Sequence, residues 1–174
     1  QRHVIFSQRK DVINSEKIFD YSNDFLSEII ENLINLKTKS LSNPNNNEFN
    51  NQLKTLLGKS FNQDEFSSLI NLNTKDFKKK IDLKFLETRD KRIELLEEDR
   101  AKEIEKRIFL QSIDLNWKSH IQYLEQLRQV IGLRSYGQRD PLVEYKKEAF
   151  SLFENLLNKL KLDFVTILMN LQIV

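Results

Sequence analysis

Apolar positions in the C-terminal part of the chain recur at helical spacing. Leu110, Ile113, Trp117, Ile121, Leu124, Leu127 or Arg128, and Ile131 step by three and four, which puts their side chains on one face of a helix. A polar, glycine-containing segment follows over 132–140. Asp140-Pro141 then supplies an N-cap and a first helical residue, with Glu144 near the positive helix end. Leu142, Tyr145, Ala149, Phe153, Leu156, Leu160, Phe164, Ile167 and Leu171 make a second stripe. Two striped helices joined by a short loop predict an antiparallel hairpin about 35–45 Å long. Its loop is held far from its base.

The pattern changes upstream. Residues 87–107 hold 15 charged side chains in 21 positions, with pairs such as Glu98–Lys102 and Glu103–Arg107 spaced for ion pairing. This run predicts a solvated helix that projects or bridges. Asn73 or Thr74 caps its start, and no Gly or Pro interrupts it before Gly132. Before Thr74 the elements are short. Helices are predicted over 1–13, over about 24–39 behind a Ser22 or Asn23 cap, over about 48–57 ending at Gly58, and near 63–72. Ser42-Asn43-Pro44-Asn45-Asn46-Asn47 is the clearest break.

Composition narrows the class. Three glycines and two prolines in 174 residues leave few tight turns, where average glycine usage is about 7%. Parallel α/β folds, sandwiches and barrels need more. The expected fold is all-α: residues 1–13 as the end of a longer helix, a small helical sub-region over 14–85, and a long helix with a two-helix hairpin over 86–174. Cysteine is absent and histidine is limited to His3 and His120, which excludes disulfides and the common cysteine and histidine metal sites. A net charge of +2 gives no field for nucleic acid. The start lacks an initiator Met and a secretory signal, so a fragment of a cytosolic protein is expected. The longest apolar stretch, 162–174, is too short and too interrupted to span a bilayer.

Candidate chemistry is sparse. Gly58-Lys59-Ser60 is the end of a phosphate-binding loop, but that motif needs a glycine five residues earlier, where Leu53 stands. His120 has no specified nucleophile or orienting carboxylate, so it reads as a packing histidine. Trp117 reads as a packing anchor between helices. The hairpin tip is different. Arg134, Tyr136 and Arg139 have no obvious core role, and Tyr and Arg are enriched at binding hot spots. The bland reading, a turn that merely joins two helices, stands beside it.

Leu110-Gln111-Ser112-Ile113-Asp114, Trp117-Lys118-Ser119-His120, the run Leu127 to Pro141 and Glu144-Tyr145-Lys146 closely resemble the end of the helical scaffold domain of the SecA family. These are bacterial preprotein translocase ATPases. Gln1 through Arg9 is similar to the end of that scaffold's first long helix, and 14–85 takes the place of the helical wing domain by order along the chain. The resemblance implies that 110–171 is the two-helix finger. It implies that Tyr136, flanked by Arg134 and Arg139, contacts the translocating polypeptide at the SecYEG channel, and that the finger restrains the ATPase. Trp117, Ile121, Leu124 and Tyr145 would pack the scaffold. Ser135 and Gly137 depart from the Gly and Ala frequent in other members.

The nucleotide-binding motor domains would lie outside this sequence. The fragment is therefore expected to be no enzyme and to hold no cofactor, with ATP and magnesium belonging to the parent protein. Expected partners are the SecYEG channel, unfolded preprotein, the motor domains of the same chain and a second copy in a homodimer, but no nucleic acid. The expected location is cytoplasmic, peripherally on the inner membrane. The alternative is a coiled-coil or adaptor scaffold that binds partner helices through apolar grooves.

Overall fold

The computed structural model describes all of the chain except residues 1, 15, 44, 46, 59, 135–139 and 172–174; side chains of 8, 12–14 and 134 are also outside the description. The described residues form seven helices and no strand: α1 (Arg2–Asn14), α2 (Ile18–Ser42), α3 (Glu48–Leu57), α4 (Gln63–Ile70), α5 (Thr74–Leu96), α6 (Glu98–Arg134) and α7 (Pro141–Asn170). The fold is all-α.

Local chemistry explains several helix ends. Asn62 starts α4 by accepting from the Glu65 amide at 2.8 Å, and Asn73 starts α5 by accepting from the Asp76 amide at 2.8 Å. Asp140 caps α7 by accepting from the Leu142 amide at 3.0 Å, with Pro141 at the first helical position. Each such cap contributes about 1 kcal/mol by satisfying an otherwise free first-turn donor.

Two boundaries, and the geometry at a third, differ from the sequence reading. Ser22 does not cap α2, which begins at Ile18. It lies one turn inside the helix, fully buried, with Oγ 2.9 Å from the Ile18 carbonyl oxygen. Burial of Ile18, Leu26, Ile29, Ile30 and Leu33 sets this start instead. Gly58 follows α3 as expected, but in right-handed geometry at φ −45°. A Cβ there would sit 2.9 Å from the Lys54 carbonyl oxygen, so the site needs glycine for space. The expected uninterrupted charged helix is broken at Glu97, whose φ of 71° is the one positive value at a non-glycine among the described residues. Left-handed geometry there costs about 1–2 kcal/mol. The Glu97 amide still donates to Ile93 O at 2.8 Å and its carbonyl accepts from Ala101 at 3.1 Å, so the kink redirects the chain without orphaning its backbone.

One apolar core runs from Ile5 of α1 through α2, α3, α4 and α5 to the root of the α6–α7 hairpin. Within it Phe109 of α6 and Phe164 of α7 meet the partly buried Phe25 of α2. Phe109 and Phe164 are edge-on at 5.0 Å, and Phe25 stacks on Phe109 at 5.7 Å. Residues 14–85 thus share a core with the hairpin's root, while its far half stands clear of them.

The inward faces of the hairpin include the predicted Ile113, Ile131, Ala149, Leu156, Leu160 and Phe164, and depart from the predicted stripes at particular positions. Between Phe109 and His120 on α6 the buried positions are Phe109, Ser112, Ile113, Asn116 and His120. Ile121 is 46% exposed, and on α7 Ile167 is 43% exposed while Leu168 is buried. A pattern reading scores polar residues as outward. Here Asn116 is admitted because its Nδ2 donates to Ser112 O at 2.8 Å and to Asp163 Oδ2 at 3.2 Å, which removes the penalty for burying an amide.

Candidate functional site: the two-helix hairpin and its root

The hairpin consists of α6, about 55 Å long at 1.5 Å per residue, and α7, which packs back along it. The predicted tip residues Tyr136 and Arg139 lie outside the described residues. Arg134 is the last residue of α6, so the helix runs through Gly132, which was expected in the loop. Only 135–140 separate the two helices. Leu133, Leu142 and Val143 are exposed beside this connection, which puts apolar surface at the far ends of the two helices.

The predicted packing residues sit lower on the stem. Trp117 is half-buried against the core. Leu124 and Tyr145 are half-buried and Ile121 faces solvent. His120 is 3% exposed, lying between the rings of Trp117 at 5.4 Å and Phe153 at 5.8 Å. Burial pushes its imidazole below the ordinary histidine value. The neutral ring is thereby favoured near neutral pH, as suits packing between two aromatics. Among the described residues no group of three His, Cys, Asp or Glu side chains could hold a metal ion.

The hairpin's root contains a buried charge cluster that the sequence reading assigned to solvent. Glu105 of α6 is fully buried, and its Oε1 accepts from Arg89 Nε at 3.1 Å and Arg92 Nη2 at 3.0 Å, both on α5. Ser22 Oγ is 3.0 Å from Glu105 Oε2. Arg89 also donates to Asn23 Oδ1 at 2.9 Å. Arg92 Nη1 donates to Leu168 O at 3.0 Å, in the last turn of α7. Two guanidiniums therefore share one carboxylate, leaving a buried excess of positive charge. Ring faces absorb part of it: Arg89 lies over Phe19 at 4.3 Å and over Phe85 at 5.0 Å. The negative C-terminal end of α7 faces Arg92. Burial still pushes the Arg92 guanidinium below its ordinary value, against the pull of Glu105.

A signal for this cluster was present in the spacing. Phe77, Ile81 and Phe85 continue at the same helical interval to Arg89 and Arg92, and Glu105 stands one turn before Phe109. Charge type masked it. The rest of the charged stretch is solvated as expected, including Glu97, Glu98 and Asp99, with a Lys102–Glu98 pair at 3.4 Å.

The hairpin and its root match a known family. A model of the SecA wing and scaffold domain aligns with residues 1–172. The chain belongs to the SecA wing and scaffold family. Among similar proteins, the protein translocase subunit SecA of Pelagibacter ubique is 75% identical over all 174 residues. The SecA subunits of Caulobacter vibrioides and Thermodesulfovibrio yellowstonii are 34% and 35% identical over 99% of the chain. The chain spans about a fifth of these relatives' length: 20% of the Pelagibacter protein and 19% of the other two. Family membership accounts for the all-α architecture and for the co-occurrence of a short-helix region with a long hairpin. Among the described residues of this SecA segment no helix is long and apolar enough to cross a membrane.

Proposed function

We propose that this chain is the non-catalytic helical part of a SecA protein-export motor, with residues 14–85 as the wing and 86–174 as the scaffold and two-helix finger. In this reading ATP and magnesium bind motor domains of the parent protein. The hairpin carries motor movement to unfolded preprotein at the SecYEG channel and restrains the ATPase in return. The protein works at the cytoplasmic side of the inner membrane and touches it peripherally.

The observation that carries this reading is the asymmetry of the hairpin. Its root is fixed by a shared core and a buried charge cluster, while Leu133, Leu142 and Val143 are exposed at the far ends of its two helices. A stiff arm fixed at one end and apolar at the other suits delivery of a contact. Tyr136 suits the contact itself. Its ring can grip many side chains by apolar and stacking contact without a fixed hydrogen-bond pattern, as a general transport motor requires. Arg134 and Arg139 flank it in sequence. An adaptor that binds partner helices along the stem is the second reading, favoured by the exposed Leu115, Tyr123 and Phe150.

Tyr136→Ala in the full-length protein is expected to reduce preprotein transport about tenfold or more, the scale of losing a hot-spot aromatic. Tyr136→Phe should retain most of it. A measured transport rate unchanged in the alanine variant, with folding intact, would remove the tip contact from the mechanism.

A further inference from the structure

Glu97 joins α5 to the hairpin in a geometry that its own sequence does not favour. Its φ of 71° and ψ of 160° fall in a region that only glycine occupies without strain. Its side chain is exposed, so no packing selects glutamate there. No glycine or proline stands between Gly58 and Gly132. Leu95, Leu96, Glu98, Arg100 and Ala101, on either side of the bend, are good helix formers. The local preference is therefore one continuous helix running from α5 into α6. The bend is imposed from elsewhere in the fold.

The buried charge cluster is placed to impose it. Arg89 and Arg92 stand before the bend and Glu105 after it, and they meet at 3.1 and 3.0 Å. Along an unbroken helix the same pairs would be about 24 and 20 Å apart. The cluster therefore exists only in the bent form. Arg92 also donates to Leu168 O, and Ser22 Oγ lies 3.0 Å from Glu105 Oε2, so the same contacts tie the bend to α7 and α2. A buried ion cluster is a conditional attachment. Intact, it adds little over an apolar filling, whereas loss of one partner is costly. That contrast is what a catch requires. Strained backbone, for its part, persists only where its surroundings over-determine it, and such positions concentrate at switches.

We propose that Glu97 is a strained hinge between α5 and the two-helix hairpin, with the Arg89–Glu105–Arg92 cluster as its catch. Strain at Glu97 and the helix-forming residues around it drive the bend toward a continuous α5–α6 helix. The cluster and the apolar core shared across the bend hold it closed, so the extended form is the minor one at rest. Opening swings the hairpin away from α5 as the cluster comes apart. The two arms are thus coupled to any event that loosens the cluster, including movement of the last turn of α7, where Arg92 is bonded. The hinge lies at the opposite end of α6 from Tyr136, and it is tested without transport or any contact at the tip.

The test is a pulsed electron–electron double resonance measurement on the full-length protein. Nitroxides are attached through ketone-bearing residues at positions 79 and 111, where Lys79 and Gln111 are exposed and outside the cluster. A continuous helix would separate these backbones by about 48 Å, and the bent form holds them well under that. Two variants at 97 change the backbone preference alone, since the side chain is exposed and neither removes a packed group. Glu97→Val puts a β-branched residue where positive φ is least tolerated, and should raise the long-distance population severalfold. Glu97→Gly relieves the strain and weakens the straight helix, and should lower that population about tenfold relative to Glu97→Val. Glu105→Gln, which keeps the side chain's shape and removes its charge, should raise it with Glu97 unchanged. A single distance distribution shared by the parent and all three variants would overturn the hinge, even if Tm shifts among them, because strain without motion is only a strained turn. Opening in Glu97→Val with none in a folded Glu105→Gln would overturn the cluster's role as the catch.

Discussion

Glu105→Ala is expected to destabilise the chain by about 3–5 kcal/mol, the effect of removing one partner from a buried ion pair. The magnitude follows from what remains. Arg89 and Arg92 would stay buried with no carboxylate between them, and like charges would face each other at the root of the hairpin. Ser22 would also lose one of its two acceptors. The two ring faces over which Arg89 lies offset only part of this, since a desolvated cation–π contact is worth about 2 kcal/mol and both are already present in the parent. A domain of this kind has about 5–15 kcal/mol in total, so the loss is a large share of it. Urea unfolding followed by circular dichroism measures it as a fall in midpoint at constant slope. Arg89→Met and Arg92→Met, combined with Glu105→Leu, should recover much of the loss, because an apolar triad avoids burying any charge. A Glu105→Ala variant within about 0.5 kcal/mol of the parent would show that the cluster is hydrated and not the polar anchor of the root.

Phe164→Ala is the second large effect, again about 3–5 kcal/mol for truncating a buried aromatic. Phe164 is fully buried and touches two rings from different helices, Phe109 at 5.0 Å and Phe25 at 6.1 Å. Its removal opens a cavity between α2, α6 and α7, and few neighbours can collapse into it because the surrounding positions are ring faces and branched side chains. The control is on the same helix. Phe150 is 63% exposed, so Phe150→Ala should stay within about 0.5 kcal/mol. The pair of unfolding curves separates a core role from a surface one on a single helix.

Much of the architecture was legible because it follows from local rules. The hairpin, the Asp140-Pro141 start of α7, the Asn73 cap of α5 and the short helices before Thr74 are all readable from spacing and capping residues. The misreadings have a common cause. Ser22, Asn116, Arg89, Arg92 and Glu105 are polar residues placed inward by partners that lie far away in sequence, such as Ser22 with Glu105 or Asn116 with Asp163. Periodicity reports which face is apolar, and it cannot report which polar residue finds a partner across the core. The break at Glu97 escaped notice for a related reason. A non-glycine residue holds the left-handed geometry there, so no composition signal marks it. Of the candidate site, the tip sequence and the family resemblance were legible. The charge cluster at the root was masked, because Arg89, Arg92 and Glu105 are residue types that spacing alone assigns to solvent and that are buried only through one another.

The most direct test of the central claim places a photocrosslinking residue at position 136 of the full-length protein and examines its adducts while a preprotein is being transported. The account predicts adducts with the moving preprotein and with the channel, formed only while ATP is supplied. Adducts confined to other helical proteins, independent of ATP and of preprotein, would contradict it and favour an adaptor scaffold.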